Sequence, residues 1–121
     1  MRMTIDPMGA PPGTLDMMIL SLLVEEPLHG YLLARRIEER SGGVLGIEEG
    51  SLYPALQRLR KRKVVSDEWL TQESGRKIRV YSITRAGRKE LVQTAGQWRT
   101  VNAAVEKIIQ SIKGERSVRL T

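Results

Sequence analysis

The sequence predicts a mainly α chain with one small β-hairpin. Three observations lead there. Apolar residues recur at helical spacing before Lys63. Two short strand-like runs, 64–70 and 78–83, flank a turn with Ser74-Gly75 at its tip. A long helical segment then runs from Thr84 to about Ile112. At 121 residues, the chain suits one domain with one modest core.

The first 13 residues hold Pro7, Gly9, Pro11, Pro12 and Gly13 and read as a flexible N-terminal arm over 1–13. Thr14 is a natural N-cap, with Asp16 in the first turn of the helix it opens. Leu15, Met18, Ile19, Leu22 and Leu23 form that helix's buried stripe, and Pro27 stops it. Leu28-His29-Gly30-Tyr31 opens a second helix that reaches about Arg40 and buries Leu32, Leu33 and Ile37. Ser41 to Gly46 turns the chain into the third helix.

That third stretch, Glu48 to Lys63, organises the rest. At ~100° per residue, Leu52, Ala55, Leu56 and Leu59 fall on one side. Pro54, Gln57, Arg58 and Lys61 fall on the other, with Tyr53 on a flank. Gly50 frees the entry turn, Ser51 can cap, and Pro54 lies in the first turn, where a missing N–H matters little. The outward face near the helix start, including Gln57, is then small and stiff, with an aromatic ring and an amide beside it. Such an edge suits a DNA major groove. The cations at the helix end also match the macrodipole, as on any solvated basic terminus.

The hairpin carries Arg76, Lys77 and Arg79 on or near its tip. Three helices followed by a basic hairpin is the order of a winged helix-turn-helix domain. In that arrangement the third helix enters the major groove and the hairpin tip reaches the backbone or minor groove. Thr84 caps the long last helix. Leu91, Ala95, Trp98, Asn102, Val105, Ile109 and Ile112 recur along it at alternating spacings of 4 and 3, a heptad seam, and Val101, Ala104 and Ile108 widen it. One small domain has too little surface to bury so broad an apolar face. The helix is expected to pair with its copy, Asn102 fixing register; the alternative is a helix folded back across its own domain. The expected division is a winged-helix domain over 14–84, a dimerisation helix over 85–113 and a basic tail over 114–121.

Composition narrows the chemistry. Cysteine is absent and His29 is the only histidine, so thiol chemistry, Cys-zinc sites, histidine metal clusters and Ser-His-Asp triads have almost no material. Glu48 and Glu49 are adjacent and point different ways, which makes them a poor acid–base pair. The glycines at 42, 43 and 46 match neither G-x-G-x-x-G nor a P-loop, and no cofactor or metal is expected. The net charge of +6 is unevenly spread. Residues 58–100 carry 12 cations against 4 anions, and residues 1–57 carry 4 against 8. A positive field that local argues for one anionic partner surface. Met17 to Val24 is far too short to span a bilayer, and no leader cleavage pattern appears; a cytoplasmic location is expected.

Four strings, in this order and spacing, resemble the PadR family of transcriptional regulators. They are Gly13-Thr14-Leu15-Asp16, Leu28-His29-Gly30-Tyr31, Glu49-Gly50-Ser51-Leu52-Tyr53-Pro54-Ala55-Leu56 and Tyr81-Ser82-Ile83-Thr84-Arg85-Ala86-Gly87. The resemblance covers about residues 13–112. It implies a homodimeric winged-helix repressor that binds double-stranded DNA and dimerises through its last helix. It also implies a recognition helix containing Ser51, Tyr53, Pro54 and Gln57, and a wing containing Arg76 and Lys77. Family members usually carry glycine where Lys63 stands, and often a second tyrosine where Val80 precedes Tyr81.

The expected DNA-binding set is Tyr31, Ser51, Tyr53, Pro54, Gln57, Arg58, Lys61, Arg76 and Lys77. Leu91, Ala95, Trp98, Asn102, Val105, Ile109 and Ile112 are the expected dimer interface. Two copies of Trp98 facing across a two-fold axis would hold a flat aromatic effector by stacking; alternatively Trp98 simply fills the interface or docks on its own first helix. The rival function is a winged helix that binds another protein without DNA affinity.

Overall fold

The computed structural model describes residues 3–4 and 13–112, so the tail at 114–121 and most of the arm at 1–13 lie outside the described residues. The chain divides into two compact units, one ending at Leu91 and one beginning at Val92. In the first unit, α1 (Thr14–Glu25), α2 (Gly30–Arg40) and α3 (Glu49–Lys61) surround the core. A three-stranded antiparallel sheet joins them, in the order β2 (Leu28–His29), β5 (Lys77–Ile83), β4 (Val65–Thr71). The last helix, α4 (Arg85–Gln110), begins in this unit and continues through the second. Three helices and a hairpin in this order form a winged helix-turn-helix domain, as the sequence predicts.

The core follows the helical spacing. Ile19, Leu20, Leu22 and Leu23 of α1 meet Leu33 and Ile37 of α2 and Leu52, Ala55, Leu56 and Leu59 of α3. Burying a side chain of this kind stabilises by about 1.5–3 kcal/mol. Tyr81 is fully buried in the centre of the sheet, between Leu28 of β2 and Asp67 of β4.

Several boundaries differ from expectation. Gly13, in the left-handed region at φ 86°, holds the N-cap position of α1 instead of Thr14; its carbonyl accepts the N–H of Met17 at 2.9 Å. Leu28–His29 opens no helix. It pairs with Val80 and Tyr81 as the third strand of the sheet. A two-residue strand has no period to read, so nothing local in the sequence separates Leu28–His29 from the helix that follows. The third helix starts at Glu49, and neither Gly50 nor Ser51 caps it. Glu48 holds the cap position, its carbonyl accepting from Ser51 at 3.0 Å and Leu52 at 3.2 Å. Pro54 is therefore in the second turn, and Gln57 is past the middle of the helix. Finally β1 (Met3–Thr4), inside the expected arm, pairs in parallel with β3 (Leu45–Gly46).

The end of α3, the hairpin and the start of α4 meet at one junction. Lys63 has φ 63°, the one non-glycine residue among those described with positive φ. The Lys63 N–H donates to Arg60 O at 3.0 Å and the Val64 N–H to Leu59 O at 3.1 Å, the two bonds of a Schellman motif. Lysine thus takes the conformation that glycine adopts freely. Thr84 closes the other side. Its N–H donates to Val64 O at 3.1 Å, its hydroxyl donates to Lys63 O at 2.8 Å, and its Oγ1 accepts from the Gly87 N–H at 3.1 Å. Thr84 caps α4, as expected. Gly87 is buried there; a Cβ on it would lie 2.1 Å from Val64 O and 2.8 Å from Ile83 Cγ1.

The two positions should respond in opposite directions to substitution. Lys63→Gly relieves left-handed strain of ~1–2 kcal/mol, partly offset by the greater freedom of glycine in the unfolded chain, for a net gain of about 0.5–1 kcal/mol. Gly87→Ala forces the junction apart and lowers stability by about 1–3 kcal/mol. Urea unfolding of both variants measures each value; a neutral Gly87→Ala would show that the junction yields without loss.

Candidate nucleic-acid interface

The outward side of α3 carries Tyr53 and Pro54, both exposed, with Ser51 and Gln57 half-buried. Tyr53 leans towards α2. Its ring and hydroxyl lie 3.0 Å from where a Cβ on Gly30 would be, so the glycine at the start of α2 makes room for it. Arg60 Nε donates to Gln57 Oε1 at 3.2 Å and orients that amide.

The basic run at the end of α3 is divided. Arg58 pairs with Asp16 at 3.3 Å. Arg62 pairs with Asp16 at 3.4 Å and with Glu90. The Glu90 carboxylate, followed by that of Asp16, raises the Arg62 pKa against partial desolvation. These exposed pairs are worth less than about 1 kcal/mol each, but they draw two cations toward α1 and α4. Arg58, from the expected DNA-binding set, is one of them. Lys61 is exposed and forms no ion pair among the described residues.

The wing supplies the rest. Arg76 and Lys77 stand at the end of the turn; the Gln72 N–H donates to Arg76 O at 2.8 Å, and Gly75 N–H to Gln72 O at 2.8 Å. Neither wing cation has an ion-pair partner among the described residues. Arg79 is committed elsewhere. It donates to Asp67 across the strands and lies 5.7 Å over both the Trp69 and Tyr81 rings.

Between the wing and the starts of α2 and α3 lies a cleft of about 600 Å³. Tyr31, Tyr53, Arg76 and Lys77 from the expected set line it, together with Glu49, Trp69, Arg79 and Tyr81. Ser51, Pro54, Gln57, Arg58 and Lys61 are not part of its lining. Trp69, 63% exposed, is the clearest omission from the sequence reading. Its signal was an aromatic residue on a polar strand beside a basic tip; the Arg79 contact that steadies it spans two strands and is invisible in one dimension.

The expected interface residues divide as well. Leu91 packs against its own unit's core. Along the second unit, Trp98, Val101, Val105 and Ile108 are all exposed, Ile108 by 68%, and Asn102 is exposed beside them. Ala95, Ile109 and Ile112 are half-buried. Among the described residues no group of His, Asp or Glu side chains is placed to hold a metal, and no helix is long and apolar enough to cross a membrane.

Residues 19–93 match the transcriptional regulator PadR-like family. The chain belongs to that family. PadR-like proteins regulate transcription and are not enzymes. A transcriptional regulator from Clostridium thermocellum superposes with a TM-score of 0.72 at 29% identity, over 78% of this chain and 89% of that one. A PadR family regulator from Eggerthella lenta gives a TM-score of 0.72 at 30% identity, over 82% and 84% of the two chains. Bacillus subtilis PadR, solved in complex with operator DNA, gives a TM-score of 0.64 at 25% identity, over 70% of this chain and 48% of its own.

One residue of this PadR-like cleft is chemically unsatisfied. Tyr81 Oη is buried and has no hydrogen-bond partner among the described residues, and burial raises the phenol's pKa from its ordinary value of 10.0. Removing the hydroxyl should therefore stabilise: Tyr81→Phe gains about 1 kcal/mol at neutral pH. The native protein favours the neutral phenol, so its stability is retained below pH 10 and falls as pH rises towards the raised native pKa. The margin of Tyr81→Phe over the parent should widen in unfolding curves above pH 10. A constant margin would mean that the phenol ionises equally in both states.

Proposed function

We propose that this chain is a homodimeric, sequence-specific repressor that binds double-stranded DNA in the cytoplasm and is released by a small aromatic effector. The observation that carries the reading is the pairing of α3's outward face with Arg76 and Lys77, two wing cations without ion-pair partners among the described residues. Major-groove reading falls to Ser51, Tyr53, Pro54 and Gln57, and backbone anchoring to Lys61, Arg76, Lys77 and Tyr31. Arg58 takes part only if DNA displaces it from Asp16. The operator complex of Bacillus subtilis PadR supports the same use of the fold. The exposure of Trp98 and Val105 supports pairing of α4 with a second copy through the seam of Ala95, Trp98, Asn102, Val105, Ile109 and Ile112, with Leu91, packed on its own core, at the edge of that seam. Two tryptophans across that axis provide stacking faces for the effector.

Binding to genomic fragments, measured across salt concentration, tests the DNA reading. A dimer that neutralises ~6–10 phosphates loses ~10³–10⁵ in affinity between ~50 and ~200 mM salt. Gln57→Ala should relax preference at one base position by ~1–3 kcal/mol, whereas Arg76→Ala and Lys77→Ala weaken all sequences alike. Salt-independent affinity contradicts a DNA role; equal loss on operator and random DNA removes Gln57 from base reading.

Ile109→Asp tests the assembly by placing an unpaired carboxylate in the expected interface. The variant should sediment as a monomer at micromolar concentration. A dimer that survives it uses another surface.

A further inference from the structure

The cleft beside the wing contains a group that duplex binding alone does not explain. Glu49 lines it, and its carboxylate has no ion-pair partner among the described residues. A negative charge on a face meant for phosphates is repulsive unless the occupant offers it hydrogen-bond donors. The remaining lining narrows what such an occupant is. Tyr31, Tyr53 and Trp69 present exposed aromatic surface, and the Arg79 guanidinium steadies Trp69 from 5.7 Å. Arg76 and Lys77 add two cations to the lining, neither with an ion-pair partner among the described residues. The volume, about 600 Å³, lies within the ~300–1,000 Å³ of small-molecule sites.

A plain aromatic molecule would leave Glu49 and both wing cations unused. Inorganic phosphate would leave the rings and Glu49 unused. A nucleotide engages all of them: a base on the aromatic faces, its N–H groups on the carboxylate, and its phosphates on the two cations. Guanine offers two adjacent donors, N1–H and the exocyclic amine, which fit the two oxygens of one carboxylate. We propose that the cleft binds a free guanine nucleotide, and that the nucleotide and operator DNA exclude each other because both use Arg76 and Lys77. The exclusion rests on the DNA-binding reading above; occupation of the cleft does not.

The test uses the full chain carrying Trp98→Phe, which leaves Trp69 as its only tryptophan. Titration with GDP should quench Trp69 emission to saturation, with ADP at least about tenfold weaker. Glu49→Gln should abolish the preference for GDP over ADP, and Arg76→Ala should weaken both. With operator present, its apparent Kd should rise in proportion to GDP. Saturable quenching in a protein that binds no DNA supports the nucleotide site and removes only the DNA reading. Absence of saturable quenching at millimolar GDP, with DNA binding intact, overturns the proposal. So does equal quenching of Trp98 in a Trp69→Phe chain, or GDP binding that leaves operator affinity unchanged. A Glu49→Gln chain that loses operator affinity but keeps its GDP preference overturns it too, because Glu49 then reads DNA.

Discussion

Two carbonyls, those of Lys63 and Val64, hold the wing to the helical core. They receive the Thr84 hydroxyl and N–H respectively, and Gly87 is the residue that lets α4 approach Val64 O closely enough. The hairpin begins at Val65 and ends at Ile83, so both of its roots are fixed within a few residues of this point. The direction of the wing relative to α3, and with it the width of the cleft, depends on these bonds. That gives a physical reason for the Thr84-Arg85-Ala86-Gly87 string: threonine closes the cap, and glycine is the only residue without a Cβ to collide. The same junction tolerates a strained Lys63, because both Schellman bonds are made and Leu59 and Val64 are buried beside it.

Much of this architecture was legible in the sequence because it is periodic. The stripe of Leu52, Ala55, Leu56 and Leu59 defined α3, and the two strand-like runs on either side of Ser74-Gly75 defined the hairpin. What was not legible depended on partners distant along the chain. Leu28–His29 becomes a strand only because Val80 and Tyr81 are there to pair with it. Ser51 has the side chain of a cap, but the extended backbone at Glu48 already places the cap three residues earlier. Those three residues move Pro54 out of the first turn and Gln57 past the middle of the helix.

The candidate site was read with similar unevenness. Tyr31, Tyr53, Arg76 and Lys77, taken from three separate segments, line one cleft. Glu49 and Trp69 line it too, yet Glu49 opened its family string with no role attached and Trp69 belonged to no string. A carboxylate in a helix's first turn is ordinarily a dipole partner, and a strand tryptophan ordinarily packs. Their significance is positional, and it appears only when β4 is folded back over the starts of α2 and α3.

The ion pairs of Arg58 and Arg62 also bear on how such a protein would move over a genome. Charges held by Asp16 and Glu90 release no counterions on contact with a polyanion, so the attraction to arbitrary DNA is smaller than the formal charge implies. Weak attraction shortens each chance residence on a wrong site. Under the proposed DNA-binding function, a regulator built this way would spend less of its time trapped in the vast excess of non-target sequence, and its occupancy at a true site would depend more on the fit of α3 than on the total charge of the chain.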